Sequence, residues 1–390
     1  MTLKHCILVL TWSIFAVHGF CNTKPSDIRK IKDIVIYEDA QYFCAFPSVV
    51  KNGKKDFIVA FRRAPERKLF GESSSHHVDP NSYLVMLRSR DGEAWTKEPE
   101  LIYAHPFGGS QDPCMLKLRD GTLVCASYTW AFLRPEGIEN LKKPYFKSIH
   151  GSVFLGGYLL RSVDKGKTWG QPIIPPHIES EIFLDAFGNP LPACNRGALC
   201  EGKSGRLFWS VVVNDSVPIA KTSNHLLVSD DKGLSWEYSG LVASDDKVAF
   251  NETSLYETPK GDLLAFMRTA NFNDHACIAR SSDGGKTFQW ESMGFQGHPC
   301  HALRLPDNRV LLTYGYRHKP YGIRARVLNA ECTDFATAPE MILRDDAGSG
   351  DIGYSWSVLL DKNRVLVVYY FNKNDGTRYI AGTILEIEKK

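Results

Sequence analysis

The sequence predicts an all-β fold, a six-bladed β-propeller made of four-stranded antiparallel blades. Three observations predict it: six apolar hairpins spaced along the chain, a turn motif that recurs three times intact, and a β-rich segment near the start able to complete the last blade.

The hairpins come first. Apolar runs flank a turn at Val49 to Phe61 around Asn52-Gly53, Met115 to Ala126 around Asp120-Gly121, and Leu199 to Val212 around Ser204-Gly205. The same pattern recurs at Leu255 to Met267 around Lys260-Gly261, Leu303 to Tyr314 around Asp307-Asn308, and Val358 to Tyr369 around Lys362-Asn363. Gly or Asn supplies the positive φ of a tight turn, and the flanks are rich in Val, Leu, Ile, Phe and Tyr. The second repeat is Ser-x-Asp-x-Gly-x-Thr/Ser-aromatic, at Ser162 to Trp169, Ser229 to Trp236 and Ser281 to Phe288, with a copy one residue short at Ser89 to Trp95. This is the Asp-box. Its Asp and Ser/Thr side chains can bond turn amides, its Gly permits a left-handed backbone and its aromatic ring anchors the hairpin, so these aspartates hold turns and are not counted as catalytic. Asp33 to Tyr37 is expected beside Thr377 to Ile387, closing the ring with both ends of the chain. Four-stranded sheets around an axis also protect the strand edges.

Composition agrees with a globular chain. Its 390 residues are 43% hydrophobic and 23% charged, enough apolar content for a large core. Forty-seven Lys and Arg against 44 Asp and Glu give a net charge of +3, too balanced for the electrostatic footprint of a nucleic-acid binder. No Ser/Gly/Pro-rich linker divides the chain, so residues 23–390 are read as one domain, and as a monomer. Residues 1–22 read as a secretory signal: Lys4 and His5 precede an apolar run from Cys6 to Phe20 that is short for a bilayer span. No later run is long enough to span, and the reading is a secreted, extracellular or periplasmic protein. Phe20 is a poor small-residue neighbour for lipoprotein anchoring at Cys21. Eight cysteines beyond Cys21 fit an oxidising compartment. Cys194 and Cys200 are close enough in sequence to bridge, whereas Cys114, Cys125 and Cys277 lie in strand-like runs where free buried thiols are common.

In a propeller, the starts of the innermost strands converge on one mouth of the central channel. Just before the six hairpins lie Phe43 to Pro47, Gln111-Asp112, Asn195-Arg196, Asn251-Glu252, His298 to His301 and Asp351 to Tyr354. A structural propeller has no need for acids, arginine, histidine and tyrosine at the same point of successive repeats.

These residues resemble the sialidase family over most of the mature chain. Asn251-Glu252 leads through Gly261-Asp262-Leu263-Leu264 to Arg268, as in that family's blade four, and Tyr354-Ser355 precedes the blade-six hairpin. Arg62 or Arg63 ends the second strand of blade one, followed by a loop Asp, Asp79. Arg324 in Gly322-Ile323-Arg324-Ala325-Arg326-Val327 is similar to the family's third carboxylate-binding arginine. The resemblance implies Tyr354 as nucleophile, Glu252 as the base that activates it and Asp79 as acid/base, an exception to the usual carboxylate pair of glycosidases. Substrate binding would fall to Arg62, Arg63, Arg268 and Arg324, with Asp112, Arg196 and His301 at the same mouth. No cofactor and no metal are expected; the partner is a glycan.

One departure stands out. The family's aromatic-Arg-Ile-Pro motif reads Cys44-Ala45-Phe46-Pro47 here, so Ala45 occupies the place of the first arginine. Alanine forgoes a paired guanidinium–carboxylate contact, a loss of roughly 1.5–3 kcal/mol inside a site. Arg62, Arg63 or Arg196 could compensate, and another acidic sugar or a neutral one remains open. Two alternatives stand beside the exo-sialidase reading. One is a hydrolase or lyase of rhamnose–uronic acid linkages using a histidine among His76, His77, His105, His298, His301 and His318. The other is a non-catalytic carbohydrate-binding propeller.

Overall fold

The computed structural model describes residues 28–73, 77–148, 151–216 and 221–388. The leader reading, Cys21 and His76 lie outside the described residues. Six antiparallel sheets follow one another along the chain, and each runs from the inside strand outward. The inside strands are Tyr42–Gly53, the pair Gly108–Ser110 and Cys114–Lys117, Cys200–Glu201, Phe250–Glu257, Cys300–Arg304 and Gly353–Leu359. Helix is confined among the described residues to one 3-10 turn, Arg67–Phe70, and one five-residue helix, Pro135–Glu139.

All six expected hairpins form as the first and second strands of their blades. Ile28–Tyr37 pairs antiparallel with Arg378–Ile387, so the first strand of the chain completes the sixth sheet. Strands alternate in direction, so the starts of first strands and the ends of second strands meet at one end of the propeller. The first hairpin turns and the Asp-box turns lie at the other.

At the Asp-box end the three intact copies make the same bonds. In Ser162–Trp169, Ser162 Oγ donates to Asp164 Oδ1 at 2.8 Å, and Gly166 N donates back to that serine at 2.8 Å. The Thr168 hydroxyl donates to Asp164 Oδ2 at 2.6 Å. Gly166 has φ +80, a left-handed conformation in which a side chain is strained. Trp236 of another copy packs against Trp209 at 5.7 Å between centroids, anchoring its turn to the second strand of blade three. The short copy works too: Asp91 Oδ1 accepts from Glu93 and Ala94 amides at 2.8 and 2.9 Å.

The core is Val, Leu, Ile, Phe and Ala on alternate positions of these strands, buried between neighbouring sheets. All eight described cysteines are free. The bridge that sequence proximity left open between Cys194 and Cys200 does not form, and the register explains it. Cys194 pairs with Val212 and Cys200 with Phe208 on the same neighbouring strand, four residues apart. That spacing is roughly 13 Å along a strand, beyond the ~7 Å a disulfide tolerates.

Candidate active site

The mouth is shaped by breaks in otherwise regular strands. In blade one the ladder is irregular between Ala45 and Ser48, where Phe46 has φ 58. In blade six it is irregular between Gly353 and Trp356, where Tyr354 has φ 54. Left-handed backbone at a bulky residue costs energy and persists where the surroundings impose it. In blade two the inside strand is interrupted at Gln111, Asp112 and Pro113, between two short pieces that both pair with Leu123–Ala131. Blades three and four share another device. The Oδ1 of Asn195 accepts from Arg196 N, and that of Asn251 from Glu252 N, both at 2.8 Å, which fixes the two functional side chains in equivalent positions.

These devices bring Tyr354, Glu252 and Arg268 into contact. The buried Tyr354 hydroxyl donates to Glu252 Oε1 at 2.5 Å. Arg268 Nη1 donates to Glu252 Oε2 at 2.8 Å and to the Tyr354 oxygen at 3.3 Å. Burial would raise the Glu252 carboxyl, but Arg268, the Tyr354 hydroxyl and Arg196 outweigh it and hold it at about 2. Burial and the neighbouring Glu252 charge push the Tyr354 phenol well above its ordinary value, against Arg268 and Arg317. The phenol therefore stays protonated at rest, with an ionised acceptor already on its proton.

Around this pair the expected residues separate. Arg196 is buried with its guanidinium 4.6 Å from the Tyr354 ring and 5.4 Å from that of Trp356, and donates to Pro47 O at 3.1 Å. Arg62 and Arg63 fall on opposite faces of their strand. Arg62 lies fully buried toward Asp79 and Asp112, and burial lowers its guanidinium to about 10. Arg63 instead stacks on Tyr42 at 3.5 Å and pairs with Asp39. Asp112 is 2% exposed, accepts from Tyr128 Oη at 3.2 Å and, among the described residues, has no hydrogen-bond partner on Oδ1. Burial, with Glu252 adding to it, pushes its carboxyl up to about 6 against Arg196, Arg62 and the Tyr128 hydroxyl.

Three expected residues are placed differently. Both oxygens of Asp79 are taken by Arg67, at 2.6 Å to Nε and 2.8 Å to Nη2, and Oδ1 also accepts from Asn81 N. Arg324 donates to the carbonyls of Arg344 and Pro320, and clasps its own sheet rather than meeting Tyr354. The blade-five arginine beside Tyr354 is Arg317, which the sequence reading did not include. Its guanidinium is 5.4 Å from the Tyr354 ring, and its Nε donates to Ile352 O at 3.2 Å. The signal was available: Arg317 directly follows the second strand of blade five, as Arg268 closes that of blade four. His301 is wedged beneath, stacked on Trp356 at 4.7 Å, with Nδ1 accepting from Ser357 N; burial and Arg196 lower it to about 3, so it is neutral.

A cavity of about 590 Å³ opens from Glu252 and Arg196 toward an aromatic wall that includes Tyr128, Trp130, Phe146 and Phe154. That is room for a sugar and its substituents. A larger groove, about 770 Å³, lies at the Asp-box end, but there Arg88 is already paired with Glu100. Beside Arg268, the Asp274 carboxylate spans His298 Nε2 and His318 Nε2, each at 3.1 Å. Among the described residues no group of three His, Cys, Asp or Glu is gathered as a metal would require.

Residues 145–344 match the BNR repeat-like domain. A Dyadobacter fermentans protein of unknown function is 66% identical, with TM-score 0.91 over 93% of this chain and 99% of its own. The NanB sialidase of Streptococcus pneumoniae shares the fold at 12% identity, TM-score 0.61, over 90% of this chain and 70% of that one. So does a Penicillium chrysogenum α-L-arabinanase at 14% identity, TM-score 0.63, over 93% and 99%. No curated protein matches. With half its length matched and a relative alike over nearly its whole length, the chain belongs to the BNR repeat-like family.

Proposed function

We propose that the protein is an exo-acting glycoside hydrolase of sialidase type, removing terminal sialic acid or a related acidic sugar from glycans. One observation carries this reading: the Tyr354 hydroxyl lies between Arg268 and Glu252, and Glu252 lines a sugar-sized cavity. A neutral phenol is a weak nucleophile, and Glu252 is placed to take its proton as the oxygen attacks the anomeric carbon. Arg268 then faces the phenolic oxygen where charge changes, and Arg268 with Arg317 favours an anionic sugar. Ala45 is fully buried beside Phe46, so the blade-one guanidinium is absent and two arginines, not three, hold the substrate's charge. That leaves room for acidic sugars other than sialic acid. Asp112, Arg62 and Arg196 would bind ring hydroxyls from the opposite side. We place the mature chain, from residue 23, outside the cell as a monomer acting on glycans, on the strength of the leader-like residues 4–20.

The test is a hydrolysis panel of aryl glycosides of sialic acid, other nonulosonates, uronic acids, rhamnose and arabinose, with Tyr354→Phe beside the wild type. Release that the variant loses supports the reading and names the sugar. Silence across the panel with retained glycan binding contradicts it in favour of a binding propeller.

A further inference from the structure

A tyrosine glycosidase needs a group to protonate the leaving oxygen and later deprotonate water. Asp79 has both oxygens engaged by Arg67 and is 3% exposed. Two residues earlier on the same loop, the His77 side chain is 45% exposed and meets Asp351 Oδ1 through Nε2 at 2.8 Å. That carboxylate is itself built in: Tyr370 Oη donates to Oδ1 and Arg378 Nε to Oδ2, each at 2.6 Å. Burial would raise Asp351, but His77, Arg378 and Tyr370 outweigh it and hold it far below the ordinary carboxylate range. The His77 ring meets the edge of Phe46 at 5.1 Å, and Phe46 meets Tyr354 at 4.8 Å, so imidazole and nucleophile flank one aromatic ring.

We propose that His77, oriented by Asp351, is the proton-transfer group of this site in place of Asp79. The proposal rests on the glycosidase reading above. Asp351 accepts from Nε2 and leaves Nδ1 for the substrate's proton. In the first step Tyr354 Oη bonds to the anomeric carbon as its proton passes to Glu252. The glycosidic C–O bond breaks, and its electron pair goes to the leaving oxygen, which takes the proton from His77 Nδ1. In the second, water oxygen bonds to the anomeric carbon, its proton passes to His77 Nδ1, the C–O bond to Tyr354 breaks, and Glu252 returns the proton to the phenolate. Asp351 is a positioning residue.

The experiment compares wild type, His77→Ala, His77→Gln, Asp351→Asn and Asp79→Asn on aryl glycosides of graded leaving-group acidity, after thermal melts establish that each variant is folded. For both His77 variants the expected result is a loss of about 100-fold or more on poor leaving groups, shrinking to about threefold on dinitrophenyl glycosides, with azide restoring turnover. Asp351→Asn should lower kcat with KM within about threefold. Asp79→Asn should act by the same factor on every leaving group. Loss independent of leaving group in both His77 variants, or a leaving-group-dependent loss in Asp79→Asn, overturns the assignment while leaving the glycosidase reading intact. A wild type silent on the whole series overturns both.

Discussion

The two ends of the propeller use carboxylates in opposite ways. At the Asp-box end, Asp231 is exposed and every oxygen has a local donor. Burial works against its charge, but Ser235, Ser229 and the Leu234 amide outweigh it and hold it at about 2. At the mouth, Asp112 is buried, lacks a partner on one oxygen among the described residues and is pushed up to about 6. The first arrangement repeats from blade to blade and stabilises a turn. The second occurs where a strand is interrupted, and its incomplete satisfaction leaves bonding capacity for a ligand. Regularity builds the scaffold, and departures from it mark the site.

The sharpest way to break this comparison is Tyr354→Phe. It should cut turnover by about 10³-fold, some 4 kcal/mol of barrier, with the melting temperature within a few degrees of wild type. A variant that unfolds instead would make Tyr354 part of the scaffold. Next come the two arginines of blade five. Arg317→Ala should raise KM about 10–100-fold, because its guanidinium stands beside the nucleophile. Arg324→Ala should instead cost about 1–3 kcal/mol in denaturant titration with KM unchanged, because it satisfies buried carbonyls.

Stability against pH separates the two aspartates. A raised folded-state value favours the protonated form, so Asp112 stabilises the fold below about pH 4 and that contribution is lost as pH rises through 6. Asp112→Asn should gain on wild type by about 2 kcal/mol between pH 4 and 7, read from urea midpoints at each pH. Asp231 has a depressed value, so its contribution is present above pH 4 and lost as pH falls toward 2. Asp231→Asn should trail wild type by less than about 1 kcal/mol at neutral pH, because the group is exposed and screened, and the gap should close on acidification.

Much of this architecture was legible because repetition is a sequence property. Six hairpins and the Asp-boxes set blade number and register, and Asp33 to Tyr37 beside Thr377 to Ile387 closed the ring as expected. Glu252 and Tyr354 stood out as strand-start residues of two blades, and the resemblance to sialidases added Arg268; the structure brings the three into contact. What was not legible depends on side-chain direction and on loops. Strand alternation, not spacing, separates Arg62 from Arg63. In blade five the resemblance pointed to Arg324 on the third strand, whereas Arg317, just after the second strand, is the arginine that reaches the nucleophile. Asp79 was chosen without its partner, since nothing in the spacing of residues 67 and 79 announces that a 3-10 turn brings them together. Cys194 and Cys200 stay unbridged because nearness in sequence is not nearness across a ladder.

The central claim is that Tyr354 bonds to the sugar. Its most direct test is intact-protein and peptide mass spectrometry after incubation with fluorinated, activated glycosides of the acidic sugars in the panel. The account predicts a single glycosyl increment on the peptide carrying Tyr354, absent from Tyr354→Phe. Turnover of these sugars with no adduct, or an adduct on any other residue, would contradict it.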